Sequence, residues 1–276
     1  MNIQYLGTAA YEGWPALFCK CEACEEARMA GGRNIRTRSQ AVIDGTLLID
    51  MPPDTYYHAL TYNIDLSAIG HLLITHSHED HFYPSDMIAK AEPYAFDGSA
   101  PSLQVYGNEA IVKMLEQALD SSGLDDVRKF ITPVYLKPFV PVEIGEYVVT
   151  PLLADHMPQE KCYIYIIEKD GKRLLYGHDT GVFPEATFEY IKGRRFDLVS
   201  LDCTFGPTLW EHGGHMGLPN NLAVKQRMEQ MGSADGQTQF VINHFSHNSK
   251  VIHDQLVPHA EKHGIITAYD GMMLCV

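Results

Sequence analysis

The sequence Thr75-His76-Ser77-His78-Glu79-Asp80-His81 places four candidate metal ligands within six residues. Imidazole and carboxylate groups together suit zinc, manganese or iron. One ion does not need so many ligands from one loop, so the spacing indicates that His76 and His78 bind one metal while Asp80 and His81 bind a neighbouring one. The alternative is an exposed polar turn that is rich in histidine. We expect metal binding.

The flanking residues place this loop at the end of a strand. The apolar run Gly70-His71-Leu72-Leu73-Ile74 precedes it and predicts a buried strand. The segment Pro84-Ser85-Asp86-Met87-Ile88 follows it and predicts the start of a helix, because proline is favoured in the first turn. The candidate ligands therefore lie where a strand ends and the backbone is free to curl.

Three further candidate ligands, His156, Asp179 and His244, also stand at the ends of predicted strands. Side chains at strand ends along one sheet edge can converge although they are far apart in sequence. Several other histidines are more simply interpreted as packed residues or as supports for a neighbouring ligand: His58, His71, His178, His253, His259 and His263.

Taken in order, these residues resemble the signature of the metallo-β-lactamase-fold hydrolases. That signature is a His-x-His-x-Asp-His loop followed by a His, a bridging Asp and a final His. Every position is present here, as His76, His78, Asp80, His81, His156, Asp179 and His244. The resemblance implies an α/β fold, the four-layer αββα sandwich of two mixed sheets with helices outside, and a site for two divalent metal ions at the sheet edge. It also implies that Asp50 supports the loop instead of binding metal.

A second cluster of candidate ligands, Cys19-x-Cys21-x-x-Cys24, lies in the segment 11–38, which has no clean periodicity. In a reducing compartment, clustered cysteines favour metal binding, whereas the scattered Cys162, Cys203 and Cys275 are expected to be core residues. Three cysteines can surround an ion on three sides, but a closed structural zinc site needs a fourth ligand. The alternative is three reduced cysteines in a surface loop.

The cysteine arrangement resembles that of the PhnP-type phosphodiesterases, in which such a cluster and a late histidine bind a structural zinc. The resemblance implies that His247 is the fourth ligand here and that the zinc orders the segment 11–38, which lacks a core of its own. Further matches to this type are Trp14-Pro15, Leu201-Asp202-Cys203 and Tyr269-Asp270-Gly271-Met272.

The same family has a histidine that assists the leaving group, in the loop after the Asp-Cys strand. Here that loop offers His212 and His215. We expect His215, because it directly precedes the helix predicted at Leu218 and because the neighbouring glycines let the loop fold over a ligand. The glycines and the pair Met216-Gly217 depart from the family pattern. This departure bears on which substrate is bound more than on the type of reaction.

The composition of the whole chain limits its class and its partners. The chain has 276 residues, and its hydrophobic content of 45% is ordinary for a globular protein. We expect a single domain over residues 1–276, with the zinc-binding loop at about 11–38. No apolar run approaches the roughly 18 residues of a membrane span. The N-terminus does not resemble a signal peptide, so a cytoplasmic location is expected.

Net charge is −14, from 21 Lys plus Arg against 35 Asp plus Glu, which disfavours a long nucleic acid as partner. The basic cluster of Arg28, Arg33, Arg36 and Arg38 is expected to be a solvated loop, with a site for a single phosphate as the alternative. A homodimer is expected from the family resemblance alone.

The resulting functional hypothesis is a dinuclear metal-dependent phosphodiesterase. Its substrate is expected to be a small phosphodiester, either linear or cyclic. The family implies that Asp80 and Asp179 act in catalysis as metal ligands, that metal-bound hydroxide attacks phosphorus, and that His215 is the general acid. One alternative keeps the site but hydrolyses a thioester, lactone or amide. Another is a non-catalytic, metal-stabilised binding protein.

Overall fold

The computed structural model describes residues 1–96, 100–124 and 126–276. Its strands are β1 (Asn2–Gly7), β2 (Gln40–Ile43), β3 (Leu47–Ile49), β4 (His71–Leu73), β5 (Leu103–Gly107), β6 (Ile131–Tyr135), β7 (Val142–Ile144), β8 (Tyr147–Leu153), β9 (Tyr163–Lys169), β10 (Lys172–Gly177), β11 (Leu198–Asp202), β12 (Gln239–Asn243), β13 (Ile265–Thr267) and β14 (Met273–Cys275). Its α-helices are α1 (Glu22–Ala30), α2 (Thr55–Tyr62), α3 (Pro84–Met87), α4 (Glu109–Ser121), α5 (Glu185–Ile191), α6 (Leu218–Gln230) and α7 (His253–Glu261).

The strands form two seven-stranded sheets, in the orders β14-β1-β2-β3-β4-β5-β6 and β13-β12-β11-β10-β9-β8-β7. Both sheets are mixed. In the first, β1 and β2 pair antiparallel, whereas β3, β4 and β5 run parallel. In the second, β8 and β9 pair antiparallel, whereas β10, β11 and β12 run parallel. This is the αββα sandwich that the sequence resemblance implies.

Alternation along the strands of the first sheet shows how its two faces are covered. Ile49 and Leu73 belong to the larger core, which also takes side chains from the second sheet. Their neighbours Leu48 and Leu72 point the other way, as the period of two in a strand requires, into a second core. Helix α4 covers this outer face with Ile111, Leu115 and Leu119.

The topology brings several strand ends to one edge of the sandwich. Asp50 directly follows β3 and the histidine-rich loop follows β4, its parallel neighbour. In the second sheet, Asp179 and His244 follow the ends of β10 and β12. The two sheets are also joined close to this edge, because the Tyr165 hydroxyl donates a hydrogen bond of 2.5 Å to the carbonyl of Ile74.

The segment 11–38 packs more extensively against the rest of the protein than we expect from its sequence. It contains helix α1, and Trp14, Ala23 and Ala27 are buried in the larger core. The segment therefore has no separate core, but these side chains anchor it to the core of the sandwich. The helix escapes prediction because only small residues face inward, which gives a weak apolar periodicity.

Two further expectations from the sequence need correction. Cys275 is exposed on the edge strand β14 and is not a core residue, whereas Cys162 and Cys203 are buried as expected. Arg36 is buried and not solvated, because its guanidinium donates to the hydroxyl of Thr8 at 2.6 Å and to the carbonyl of Ala268 at 2.8 Å. No helix within the described ranges is both long and apolar enough to cross a membrane.

Candidate metal centre and active site

The seven side chains of the predicted edge site converge into two adjacent groups. One group is His76, His78, His156 and Asp179, and the other is Asp80, His81, Asp179 and His244. Within each group the ligand atoms all lie within 4.8 Å of one another, and Asp179 belongs to both groups. The loop divides between the groups as its spacing indicates.

The ring nitrogens in these groups face one another. Nε2 of His76 lies 2.9 Å from Nδ1 of His78, which lies 3.2 Å from Nε2 of His156. In the second group, Nε2 of His81 lies 3.3 Å from Nε2 of His244. A neutral imidazole has one donor and one lone pair, so facing nitrogens cannot all be satisfied by one another.

Hydrogen bonds on the opposite side of the rings decide which nitrogen faces inward. Nδ1 of His81 lies 2.7 Å from the Asp50 carboxylate, and Nδ1 of His156 lies 3.0 Å from the carbonyl of Gly214. Nδ1 is therefore a donor in both rings, and Nε2 faces the centre of the group, where a metal ion would take the place of any proton on it. Such outer hydrogen bonds orient histidine ligands in metal sites. Asp50 thus supports the loop, as the resemblance implies.

The donor set fits divalent cations. Oδ1 of Asp80 is buried and has no hydrogen-bond partner among the described residues. Burial alone would raise the pKa of Asp80, but the positive charge of His81 outweighs it and lowers the pKa to about 2. An unpaired buried carboxylate oxygen beside facing imidazole nitrogens is costly unless a cation lies between them.

Three strand-end residues adopt left-handed backbone conformations at this edge. The φ angles are +62° for Asp50, +52° for Asp179 and +60° for His244. Positive φ is uncommon in residues other than glycine, and such conformations concentrate at functional sites. The chain turns sharply here, within two residues of the ends of β3, β10 and β12.

His215 reaches the same edge from the loop before α6. Its Nδ1 lies 3.2 Å from Oδ2 of Asp202 and 3.2 Å from Oδ1 of Asp179. Burial lowers the pKa of His215, but the negative charges of Asp179 and Asp202 outweigh burial and raise the pKa to about 9. Two bound cations would lower it from that value.

His212 and His215 lie in different environments, although they belong to the same loop. His215 lines the edge cleft, whereas His212 is exposed and packs its ring against Trp210, with a centroid distance of 4.9 Å. Trp210 in turn stacks on Phe205 at 3.6 Å and donates a hydrogen bond to the carbonyl of Gly213. The loop is thereby held with His215 facing the candidate ligands.

The predicted structural zinc ligands also come together. The ligand atoms of Cys19, Cys21, Cys24 and His247 lie within 4.8 Å of one another. The contact of 3.4 Å between Cys21 Sγ and His247 Nδ1 lowers the pKa of Cys21 to about 6. The backbone N–H of Ala16 donates to Cys24 Sγ at 3.4 Å. Three sulfurs and one imidazole nitrogen form the Cys₃His set typical of a closed zinc site.

Sequence reasoning missed three residues of the site. Asp202 ends β11, so the argument from strand ends that selects Asp179 and His244 also applies to it. Glu160 contacts the histidine-rich loop and Glu12 lines the edge cleft, but neither follows a recognisable pattern in the sequence. Their positions depend on loop packing alone.

The family model described as a Beta-lactamase superfamily domain matches residues 46–245. A comparison with curated protein sequences finds no match.

Several solved structures resemble the whole chain. A diphosphatase of the PhnP family is 22% identical, with a TM-score of 0.76 over 100% of this chain and 97% of the other. Zinc-bound PqqB from Methylobacterium extorquens is 20% identical, with a TM-score of 0.76 over 100% of both chains. The short form of human tRNase Z is 16% identical, with a TM-score of 0.67 over 100% of this chain and 99% of the other. Similarity at these identities establishes the fold, and the resemblance inferred from the sequence is confirmed.

Proposed function

The chain belongs to the β-lactamase superfamily, and from this membership we propose that it is a dinuclear metal-dependent hydrolase that acts on a small phosphodiester. One observation carries the proposal: the two ligand groups share Asp179, and His215 lies beside them with Nδ1 at 3.2 Å from the same carboxylate. A shared carboxylate beside a proton donor suits displacement at phosphorus with a leaving oxygen that needs a proton.

The chain's own residues define how the site would act. When bound, two divalent ions supply Lewis acidity and lower the pKa of a water, which gives the nucleophile. Nδ1 of His81 faces the Asp50 carboxylate and Nδ1 of His156 faces the carbonyl of Gly214, so the Nε2 atoms of both rings point into the ligand groups and would bind the metal ions. Asp202 holds Nδ1 of His215, which leaves Nε2 of His215 to deliver a proton to the leaving oxygen.

His215 favours phosphodiester hydrolysis over thioester hydrolysis, which is one of the acyl alternatives. A thioester has a leaving group that departs without a proton, whereas an alkoxide from a phosphodiester needs one. Two of the structural neighbours are named as a diphosphatase and as a tRNase Z, which supports phosphorus as the electrophile. The metal number and identity, the cytoplasmic location and the homodimer stay predictions.

The test begins with elemental analysis of the purified protein before and after mild chelation. About three metal ions per chain are expected, one of them a zinc that resists chelation. The metal-replete protein is then assayed with bis(4-nitrophenyl) phosphate, cyclic nucleotides, thioesters and lactones. On a cyclic nucleotide, whose leaving alkoxide needs a proton, His215→Gln should lower kcat about 10²- to 10⁴-fold, whereas His212→Gln, a matched change in the same loop, should leave it unchanged.

Two results would overturn the proposal. If the metal-replete protein hydrolyses no phosphodiester but cleaves a thioester or lactone, it is an acyl hydrolase. If it hydrolyses nothing and retains a single zinc, it is a metal-stabilised binding protein.

A further inference from the structure

Resting on the proposed function, we propose that Glu12 and Glu79 restrict the edge cleft to phosphodiesters with a single negative charge and exclude those that carry an additional phosphate. Both residues line the cleft, but they come from different parts of the chain. Glu12 belongs to the segment before the cysteine cluster, and Glu79 belongs to the histidine-rich loop.

The charge of the cleft wall is the first observation. The cleft has a volume of about 580 Å³, and no lysine or arginine lines it within the described part of the chain. Apart from the candidate metal ligands and His215, the charged side chains that line it are those of Glu12 and Glu79. Proteins that bind a second phosphate provide arginine or lysine for it. Here that phosphate would meet carboxylates.

Glu12 is a fixed part of the wall. Its Oε1 accepts a hydrogen bond of 2.5 Å from the hydroxyl of Ser246, which also lines the cleft. The same oxygen lies 3.7 Å from Nε2 of His247, whose Nδ1 faces the cysteine cluster. The side chain is only 26% exposed, so it cannot easily swing away from an approaching anion.

Glu79 is exposed, and its carboxylate has no salt bridge to any Lys, Arg or His in the described ranges. It lies between two candidate ligands in sequence, His78 and Asp80. No lysine, arginine or histidine within the described ranges therefore forms a salt bridge that would neutralise the negative charge of Glu79 at the mouth of the cleft.

The net charge expected at the candidate metal site also favours a substrate with a single negative charge. Asp80 and Asp179 would offset part of the charge of two bound divalent cations. The charge that remains suits the single negative charge of a phosphodiester. A second phosphate outside the metal groups would gain little attraction there and would be repelled by the two glutamates.

A pair of substrates with one leaving group isolates the effect. We would compare the 4-nitrophenyl ester of thymidine 5′-phosphate with the same compound phosphorylated at the 3′ oxygen. For the unaltered protein, kcat/KM should be about tenfold lower for the 3′-phosphorylated compound, and this difference should shrink at high salt. Glu79→Gln and Glu12→Gln should each reduce the difference, and Glu79→Lys should remove or reverse it.

Glu143→Lys is the matched control, since it makes the same change in net charge at an exposed position of β7 that does not line the cleft. It should leave the ratio of the two kcat/KM values unchanged. Equal kcat/KM values for the two compounds, or a ratio that does not change in Glu79→Gln and Glu12→Gln, would overturn the charge selection while leaving the phosphodiesterase proposal intact. Failure to hydrolyse either compound would overturn the proposed function itself.

Discussion

Both carboxylate oxygens of Glu160 accept hydrogen bonds from Ser77, one from the backbone N–H at 2.9 Å and one from the hydroxyl at 2.5 Å. Ser77 stands between the candidate ligands His76 and His78. Oε1 of Glu160 also accepts a hydrogen bond of 3.2 Å from Asn108, whose side chain caps the N-terminus of α4. The histidine-rich loop is therefore fastened to a helix of the outer layer by a residue that binds no metal in the proposed site.

We predict that Glu160→Ala weakens metal binding at the edge site by about tenfold to a hundredfold, because residues that orient ligands have effects of this size. Zinc titration in competition with a chromophoric chelator measures the affinity. Glu160→Gln keeps one carbonyl acceptor for Ser77 and should lose less. Glu143→Ala serves as control, and an unchanged affinity in Glu160→Ala would show that the loop holds its conformation without this contact.

Asp202 connects the candidate acid to a candidate ligand. Its Oδ2 lies 3.2 Å from Nδ1 of both His215 and His244, and its Oδ1 accepts the backbone N–H of Met216 at 2.8 Å. Burial would raise the pKa of Asp202, but its contacts with His215 and His244 outweigh burial and hold the pKa below its usual value. Asp202 is thus an anion that stabilises the protonated form of His215.

We predict that Asp202→Asn lowers the pKa of His215, because the change removes a negative charge that raises it. Activity that needs protonated His215 is lost as pH rises through its pKa, so the basic limb of the kcat/KM profile should move to lower pH. The profile is measured with a cyclic nucleotide, whose leaving alkoxide needs a proton, on protein of verified metal content. If the basic limb keeps its position in Asp202→Asn, Asp202 does not set the pKa of the group that transfers the proton.

The sequence predicts the candidate metal ligands of this edge better than the residues that hold those ligands in place. His76 to His81, Asp179 and His244 can be selected because metal chemistry restricts both the residue type and its place at a strand end. Asp202 obeys the same rule and could have been selected with them. Glu160 and Glu12 could not, because a carboxylate in a loop has no periodicity, and its contacts depend on packing between segments distant in sequence.

The cysteine cluster gives a prediction that is independent of catalysis. We expect Cys24→Ser to remove one zinc per chain and to leave the edge metals in place, because the two sites have no ligand in common. Helix α1 should then be cleaved more readily in limited proteolysis, although Ala23 and Ala27 still favour its packing. Cys275→Ser, at an exposed position outside the cluster, is the control and should lose no zinc. Unchanged zinc content in Cys24→Ser would exclude the proposed site.

His58 allows the pH dependence of stability to be predicted away from the metal groups. Its Nδ1 lies 2.6 Å from the side-chain oxygen Oε1 of Gln40, and its Nε2 lies 2.6 Å from the Thr37 hydroxyl, which also lies 2.6 Å from Oδ2 of Asp270. Burial lowers the pKa of His58 to about 4, and the charge of Asp54 offsets only part of this effect. Between about pH 6.5 and 4 the unfolded chain therefore binds a proton that the folded chain does not.

The free energy of unfolding should fall as pH is lowered through this window, by at most about 1.4 kcal/mol per pH unit from His58, and should be independent of this residue above it. We predict that His58→Gln is less stable at pH 7, because the two hydrogen bonds are altered, but loses less stability between pH 6.5 and 4. Urea unfolding of chelated protein measures both quantities. His259→Gln, at an exposed position of α7, should keep the pH dependence of the unaltered protein. Equal slopes for the His58→Gln and unaltered proteins would mean that His58 is already protonated in the fold, with Gln40 and Thr37 both accepting hydrogen bonds from it.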